Sequence, residues 1–271
     1  MADRPRAPPA RFPLHPSAHE VLDAVLVAAK GAGPAGVVAF DLDSTLLDNR
    51  PRQAAIVRDF ARRQGLEDLA GFDARHLVTG FDLREALGRA GLDPEAVAWW
   101  MPAFRAHWLE HFFTSDACLE DVPVPGAPDY TARVHATGVQ LVYLTARPER
   151  MRPGTLEVLR RYGFPLPAPR DRGDAAQGRG ADPGSAERVQ LWMKPDDTSV
   201  SDEDFKRSTH HALGTVGRLV AAFDNEPGHA NDFRATFPEA MVALLATGHS
   251  GRVGELAEGI AVIPDLRYSV P

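Results

Sequence analysis

The chain has 271 residues, of which 44% are hydrophobic and 25% charged, and its 30 basic and 37 acidic side chains leave a net charge of −7. That balance excludes a collagen, a disulfide scaffold and a wholly disordered chain, and the length suffices for a buried core without staples. The acidic surplus counts against general nucleic-acid or anionic-membrane binding, where each phosphate contact wants a cation, and the single cysteine, Cys118, cannot pair internally, which suits a reducing compartment.

Residues 1–16 are rich in Pro and Arg and read as irregular. No apolar run approaches 18 residues and no compact apolar leader follows the N-terminus, so neither a transmembrane helix nor a signal peptide is expected; the expected compartment is the cytoplasm. Val21, Leu22, Val25, Leu26 and Ala29 have helical spacing, with Ser17 as the N-cap. Residues 37–40 form a short continuous apolar run, as in a strand buried on both faces, and it ends at Asp41.

From Pro51 to about Phe113 the pattern is helical. One helix is predicted over 54–64 and one over 83–90. A third is opened by Asp93-Pro94 and kinked or split at Pro102. A proline-rich linker follows at 123–128, then a helix over 130–137 and a second buried strand over 139–144, ending at Thr145. Residues 164–187 read as a long exposed loop. A strand at 189–193, a helix opening at Asp202, a strand at 219–223 ending at Asp224, a helix at 229–237, a strand at 240–246 and a short one at 260–263 complete the chain. The fold class is therefore α/β: a Rossmann-like parallel sheet with helices on both faces. The helical block at 51–122 is too long for a simple crossover. It reads as an inserted α-helical cap on a core made of 1–50 and 123–271.

Three of the apolar strands end in polar residues: Asp41-Leu42-Asp43-Ser44-Thr45, Thr145-Ala146-Arg147 and Asp224-Asn225-Glu226. In an open parallel sheet these strand ends meet in one crevice. Asp41 and Asp43 concentrate negative charge that a hard cation such as Mg²⁺ would neutralise, with Asp224 as a third oxygen source. Taken alone, Asp41 and Asp43 are as readily turn or cap residues, and Thr145 reads first as a helix N-cap. Only 3 of the 30 basic residues are lysines, which makes Lys30, Lys194 and Lys206 conspicuous. Lys206, near a helix start, could neutralise an aspartate and a phosphoryl group together; its plain alternative is a surface lysine paired with Asp202.

The string from Phe40 to Asp48 resembles motif I of the haloacid dehalogenase (HAD) superfamily. Thr145, Lys206 and Asp224-Asn225-Glu226 resemble motifs II, III and IV, in the family's order. The resemblance implies a phosphatase with a C1-type helical cap. Asp41 would be the nucleophile forming an aspartyl-phosphate, and Asp43 the general acid and then base, with its carbonyl on Mg²⁺. Thr145 would bind the phosphoryl group, Lys206 would hold it in register with Asp41, and Asp224 would complete the metal site together with Asp41 and Asp43. Lys194 competes for the lysine role; Lys206 is preferred because motif III usually lies on a helix shortly before the motif IV strand. Asn225 and Glu226 replace the commoner paired aspartates. The second motif I aspartate points to phosphoester hydrolysis and away from dehalogenation.

A cap that closes over the crevice suggests a small phosphorylated metabolite as substrate. The alternatives are a nucleotide or nucleic-acid-end phosphatase, a phosphomutase, and a catalytically silent binding module. Trp99, Trp100, Phe104, Trp108, Phe112 and Phe113 read first as cap core and second as ligand contacts. Arg50, Arg52, Arg75 and Arg84 are possible substrate clamps, and Arg147 follows motif II at the pocket mouth. His107 and His111 have the i, i+4 spacing of zinc ligands, but the sequence offers no third ligand, and zinc is not assigned. His210 and His211 read as helix surface.

Overall fold

The computed structural model describes residues 12–79, 82–168, 188–196, 199–252 and 254–268. Its elements in chain order are α1 (Ala18–Ala32), β1 (Gly36–Phe40), β2 (Leu47–Asp48), α2 (Arg50–Gln64), α3 (Leu83–Arg89), α4 (Pro94–Phe112), β3 (Val122–Pro123) and α5 (Ala127–Ala136). These are followed by β4 (Gln140–Pro148), α6 (Arg152–Arg161), β5 (Val189–Lys194), α7 (Asp202–Val216), β6 (Arg218–Asp224), α8 (Pro227–Thr236), β7 (Met241–Leu245) and β8 (Ile260–Ile263). Six strands form one sheet in the order β5-β4-β1-β6-β7-β8, every pair parallel. This is the expected α/β class with β1 inside the sheet, between β4 and β6.

Alternation along β1 explains its place. Val38 and Phe40 join the core beneath α1, α5 and α6, whereas Val37 and Ala39 join the core beneath α7 and α8. A strand apolar on both faces can be covered only by helices on both faces. A third hydrophobic core lies wholly within 54–112. It is built by Val57, Phe60 and Ala61 of α2, Ala86 and Leu87 of α3 and Phe104 of α4, with Leu69 and Phe72 from the connection between α2 and α3.

Several boundaries differ from the pattern-based expectation. Helix α2 starts at Arg50, because Pro51 needs no N–H in a first turn. Pro102 does not split α4, which continues for 19 residues through it. Strand β4 continues past Thr145 to Pro148, with an irregular register against β5 between the two. Helix α6 and the short β2–β3 pair were not foreseen. Phe164 of the expected 164–187 loop is buried, and residues 169–187 lie outside the described residues, as do 1–11 of the proline-rich N-terminus. Among the described residues no helix is long and apolar enough to cross a membrane.

Candidate active site

The site forms where the central strands end. Asp41 follows β1 directly and its N–H still donates to the Phe223 carbonyl of β6 at 2.9 Å, so the first aspartate is held by the sheet. The chain then reverses. Ser44 takes a left-handed φ of 62°, uncommon for a residue with a side chain, and donates its N–H to the Leu47 carbonyl at 2.7 Å. The turn puts Asp43 beside the same cavity as Asp41. That cavity measures about 280 Å³ and its lining includes Asp41, Asp43, Thr145, Arg147, Lys206 and Glu226. A larger hollow of about 620 Å³ lies along the outer side of α2 and contains none of the motif residues. Size alone does not make it the reactive site.

Lys206 is 3% exposed, and its Nζ donates to Asp41 Oδ1 at 2.8 Å and to Asp224 Oδ2 at 2.7 Å. Burial alone would lower the pKa of this ammonium, but Asp224 and Asp41 outweigh it and hold the group charged. One cation between two buried carboxylates leaves a net negative charge. Asp224 secures the larger share: Lys206 and His229 keep it well below the usual carboxylate range despite burial, and its Oδ1 also accepts the Glu226 N–H at 2.8 Å. Asp41 is pushed up to about 7, chiefly by burial and further by Asp224 and Asp43, although Lys206 opposes the shift. Lys194 has no part in this cluster; it ends β5 and pairs with Asp202 at 2.6 Å.

A second cluster surrounds Asp43. Arg147 grips it with Nε to Oδ2 at 2.7 Å and Nη2 to Oδ1 at 2.8 Å, and Arg52 Nη2 adds a bond at 3.0 Å. Asn49 Nδ2 donates to the same carboxylate at 3.1 Å. Behind the arginines lies Asp121, fully buried, which accepts from Arg52 Nε at 2.8 Å and from Arg147 Nη2 at 2.7 Å. Two guanidiniums and two carboxylates balance. Burial would raise the pKa of Asp43, but Arg147 and Arg52 outweigh it and hold the carboxyl well below its usual range.

Thr145 is buried, and its hydroxyl accepts the Arg147 N–H at 3.2 Å. Asn225 spans two loops, accepting from Thr45 Oγ1 at 3.3 Å and donating to the Gly248 carbonyl. Both carboxylate oxygens of Glu226 are taken by Ser250, at 2.7 Å from its N–H and 2.8 Å from its hydroxyl. Both side chains thus tie the motif IV loop to its neighbours. Of the four arginines considered as clamps, Arg52 alone lines the cavity; Arg50 pairs with Asp48 and Arg75 with Asp73. Trp108, Phe112 and Phe113 line the cavity, Phe104 is core and Trp99 is exposed. The indole Nε1 of Trp108 is buried with no hydrogen-bond partner.

Sequence reasoning missed Asp121, Asn49 and His229. Asp121 precedes a Val-Pro pair and has no motif signal. Asn49 is the residue before α2, and His229 was read only as the start of a helix. His210, expected on a helix surface, is buried.

The four motif segments converge on one crevice. These are the segments whose sequences resemble the four motifs of the haloacid dehalogenase superfamily. No family model and no curated relative matches it. Solved structures similar in fold include Protein Tyrosine Kinase A of Mycobacterium tuberculosis, 19% identical with a TM-score of 0.47, covering 85% of this chain and 93% of that one. CbbY from Rhodobacter sphaeroides is 14% identical with a TM-score of 0.45, covering 85% and 94%. A haloacid dehalogenase-like hydrolase, SP0104 from Streptococcus pneumoniae, is 12% identical with a TM-score of 0.42, covering 79% and 87%. Likeness at this distance concerns the fold, and the chemistry rests on the residues of the crevice.

Proposed function

We propose that the protein is a phosphomonoesterase acting on a small phosphorylated metabolite through a covalent intermediate on Asp41, with residues 51–122 as the cap over the crevice. The observation that carries this is the buried Lys206 bridging Asp41 and Asp224. A carboxylate held beside a buried ammonium at a strand end is a positioned nucleophile with a cation ready for phosphoryl oxygens.

An oxygen of Asp41 would attack phosphorus as the ester O–P bond breaks, and the departing oxygen would take a proton. Water would then attack the aspartyl-phosphate, releasing phosphate and restoring the carboxylate. Thr145 would hold a phosphoryl oxygen through its hydroxyl. Asp43 is suited to the proton transfers only after losing its present partners, because in this arrangement it is held as a carboxylate. An incoming phosphate competes for Arg147 and Arg52, and a carboxyl freed from two guanidiniums regains its affinity for a proton.

The donor set fits Mg²⁺. Asp41 Oδ2 has no hydrogen-bond donor among the described residues, and burial, with Asp224 and Asp43 adding to it, pushes Asp41 up to about 7, a penalty on the carboxylate that a divalent cation would offset. Asp41, Asp224 and the Asp43 carbonyl would hold the ion, which would neutralise charge on the phosphoryl oxygens.

A ring-bearing leaving group such as a nucleoside is a second reading, favoured by Trp108, Phe112 and Phe113 on the cavity wall. The test is phosphate release from a panel of sugar phosphates, small acid phosphates and nucleotides, with and without Mg²⁺, beside Asp41→Asn. Mg²⁺-dependent release that disappears in the variant is expected, and the substrate ranking separates the two readings. Full activity of Asp41→Asn would overturn the nucleophile. No release from any substrate, together with no Mg²⁺ binding, would favour the silent binding module.

A further inference from the structure

Outside the motif residues, α2 and α4 bring three potential metal ligands together. His107 and His111 lie one helical turn apart on α4, and Asp59 faces them from α2, with one ligand atom from each within 4.8 Å of the others. The Asp59 carboxylate supplies the third ligand that the sequence did not reveal. We propose that Asp59, His107 and His111 form a structural site for a transition-metal ion of the Zn²⁺ class, pinning α2 to α4.

Four observations point to a metal. First, His107 Nε2 is buried without a hydrogen-bond partner, and its side chain is only 10% exposed. A buried imidazole nitrogen left unbonded is costly, and a metal ion is one of the few groups that satisfies it. Second, that nitrogen lies 3.3 Å from Asp59 Oδ2. With metal–ligand distances of roughly 2.0–2.1 Å, the edge of a tetrahedral coordination shell is about 3.3 Å. Third, His111 Nδ1 lies 2.8 Å from the His107 carbonyl. A carbonyl only accepts, so Nδ1 carries the proton and Nε2 keeps its lone pair, the second-shell pattern that orients metal-bound histidines. Fourth, Asp59 borders the surface hollow along α2, which gives an ion a way in.

The competing arrangement is a His107–Asp59 ion pair. An imidazolium there is disfavoured, because burial and the neighbouring His111 both lower the His107 pKa, and Arg63 lowers it further against Asp59 and Glu110. A neutral imidazole could also donate Nε2–H to that carboxylate, yet at 3.3 Å the two groups are not oriented for a hydrogen bond and Nε2 is left without one. Arg62 and Arg63 also bond Asp59, but both are largely exposed, so they can share the carboxylate with an ion or yield it. Two imidazoles and one carboxylate favour Zn²⁺ over Mg²⁺, which prefers oxygen and retains its waters. The same helices carry Arg52, Trp108 and Phe112 to the cavity wall. An ion at Asp59, two turns beyond Arg52 on α2, would stiffen that wall.

The test uses the full chain, stripped by chelator and then held in excess Mg²⁺ to saturate the carboxylate crevice. Titration with Zn²⁺ by calorimetry, and with Co²⁺ by visible absorption, is expected to show one equivalent bound with the strong bands of tetrahedral Co²⁺. That step should be lost in His107→Ala/His111→Ala and in His111→Ala alone. Zn²⁺ should raise the melting temperature of the wild type and not of His111→Ala. No binding by the wild type, or binding unchanged in His111→Ala, would overturn the site. Loss in Asp224→Asn or His229→Ala, with the histidine variants intact, would place the ion in the catalytic crevice and equally overturn it.

Discussion

Asp41 and Asp43 stand two residues apart on one loop, yet their surroundings carry opposite charge balances. Around Asp41, one lysine serves two buried carboxylates. Around Asp43, two arginines serve two carboxylates, and Asn49 adds a donor. Both aspartates are pushed upward by burial. The upward push prevails at Asp41, which reaches about 7, and is overcome at Asp43, which stays well below its usual range. Sequence spacing thus gives neighbouring aspartates no common role. The lysine-centred cluster has charge left to offset, and so can recruit a cation. The arginine-centred cluster is saturated, and so fixes geometry until an anion competes for it. The cations suit these tasks: an ammonium is a compact point charge, whereas a guanidinium grips two carboxylates at once.

The largest effect is expected at Lys206. Replacing it with Met leaves two buried carboxylates facing each other with no cation between them, a change of the kind that costs about 3–5 kcal/mol. Phosphate release should fall below detection, and the melting temperature should drop. Mg²⁺ should restore part of the lost stability, because the unpaired carboxylates then bind it more tightly. The matching change at Lys194 removes a pair whose partner Asp202 is more than half exposed, and should cost no more than about 1 kcal/mol. Equal losses from the two lysines, in paired melts and assays, would dissolve the distinction between them.

Next in size is Asp121→Ala. It strands Arg52 and Arg147, both buried, and should destabilise the protein by about 3 kcal/mol. Asp43 would then hold both arginines alone, and substrate phosphate would compete for them at a disadvantage, so KM should rise more than kcat falls. Asp121→Asn keeps one acceptor and should lie between the two. Asp121→Ala with wild-type stability and KM would mean that the arginine cluster is idle.

The parts of this site legible in the sequence share a cause: they stand at the ends of apolar strands, and strand ends in a parallel sheet converge. Asp41, Thr145 and Asp224 were found that way, and β1, β4 and β6 are indeed neighbours. Lys206 rested on the family resemblance and on its rarity among arginines, since a helical lysine followed by several polar residues carries no mark of burial. Asp121 and Asn49 were invisible because they act through contacts 69 and 6 residues away, on side chains that only the fold brings into range. Asp59 was missed for the same reason: its distance from His107 along the chain hides a shared helix interface. The expected split at Pro102 failed for a different reason, since the helix continues through a proline that the local rule treats as a break.

The smallest effect isolates burial from charge pairing. His210 is 6% exposed, stacks on Phe233 at a centroid distance of 4.8 Å and lies 3.0 Å from Thr236 Oγ1. Its pKa is lowered chiefly by burial, with Arg207 and His229 adding to the shift and Asp232 opposing it. It belongs to neither cluster, so it shows what desolvation does when no counter-ion dominates. The native imidazole stays neutral below 6.5, where the unfolded chain already binds a proton. The unfolded state therefore binds more protons, and this contribution to stability is complete above about pH 6.5 and declines as pH falls through that value. Chemical denaturation at several pH values should show a slope between pH 7 and 5 that is smaller in His210→Asn than in the wild type. An unchanged slope would mean that burial at this position does not disfavour the ionised imidazole.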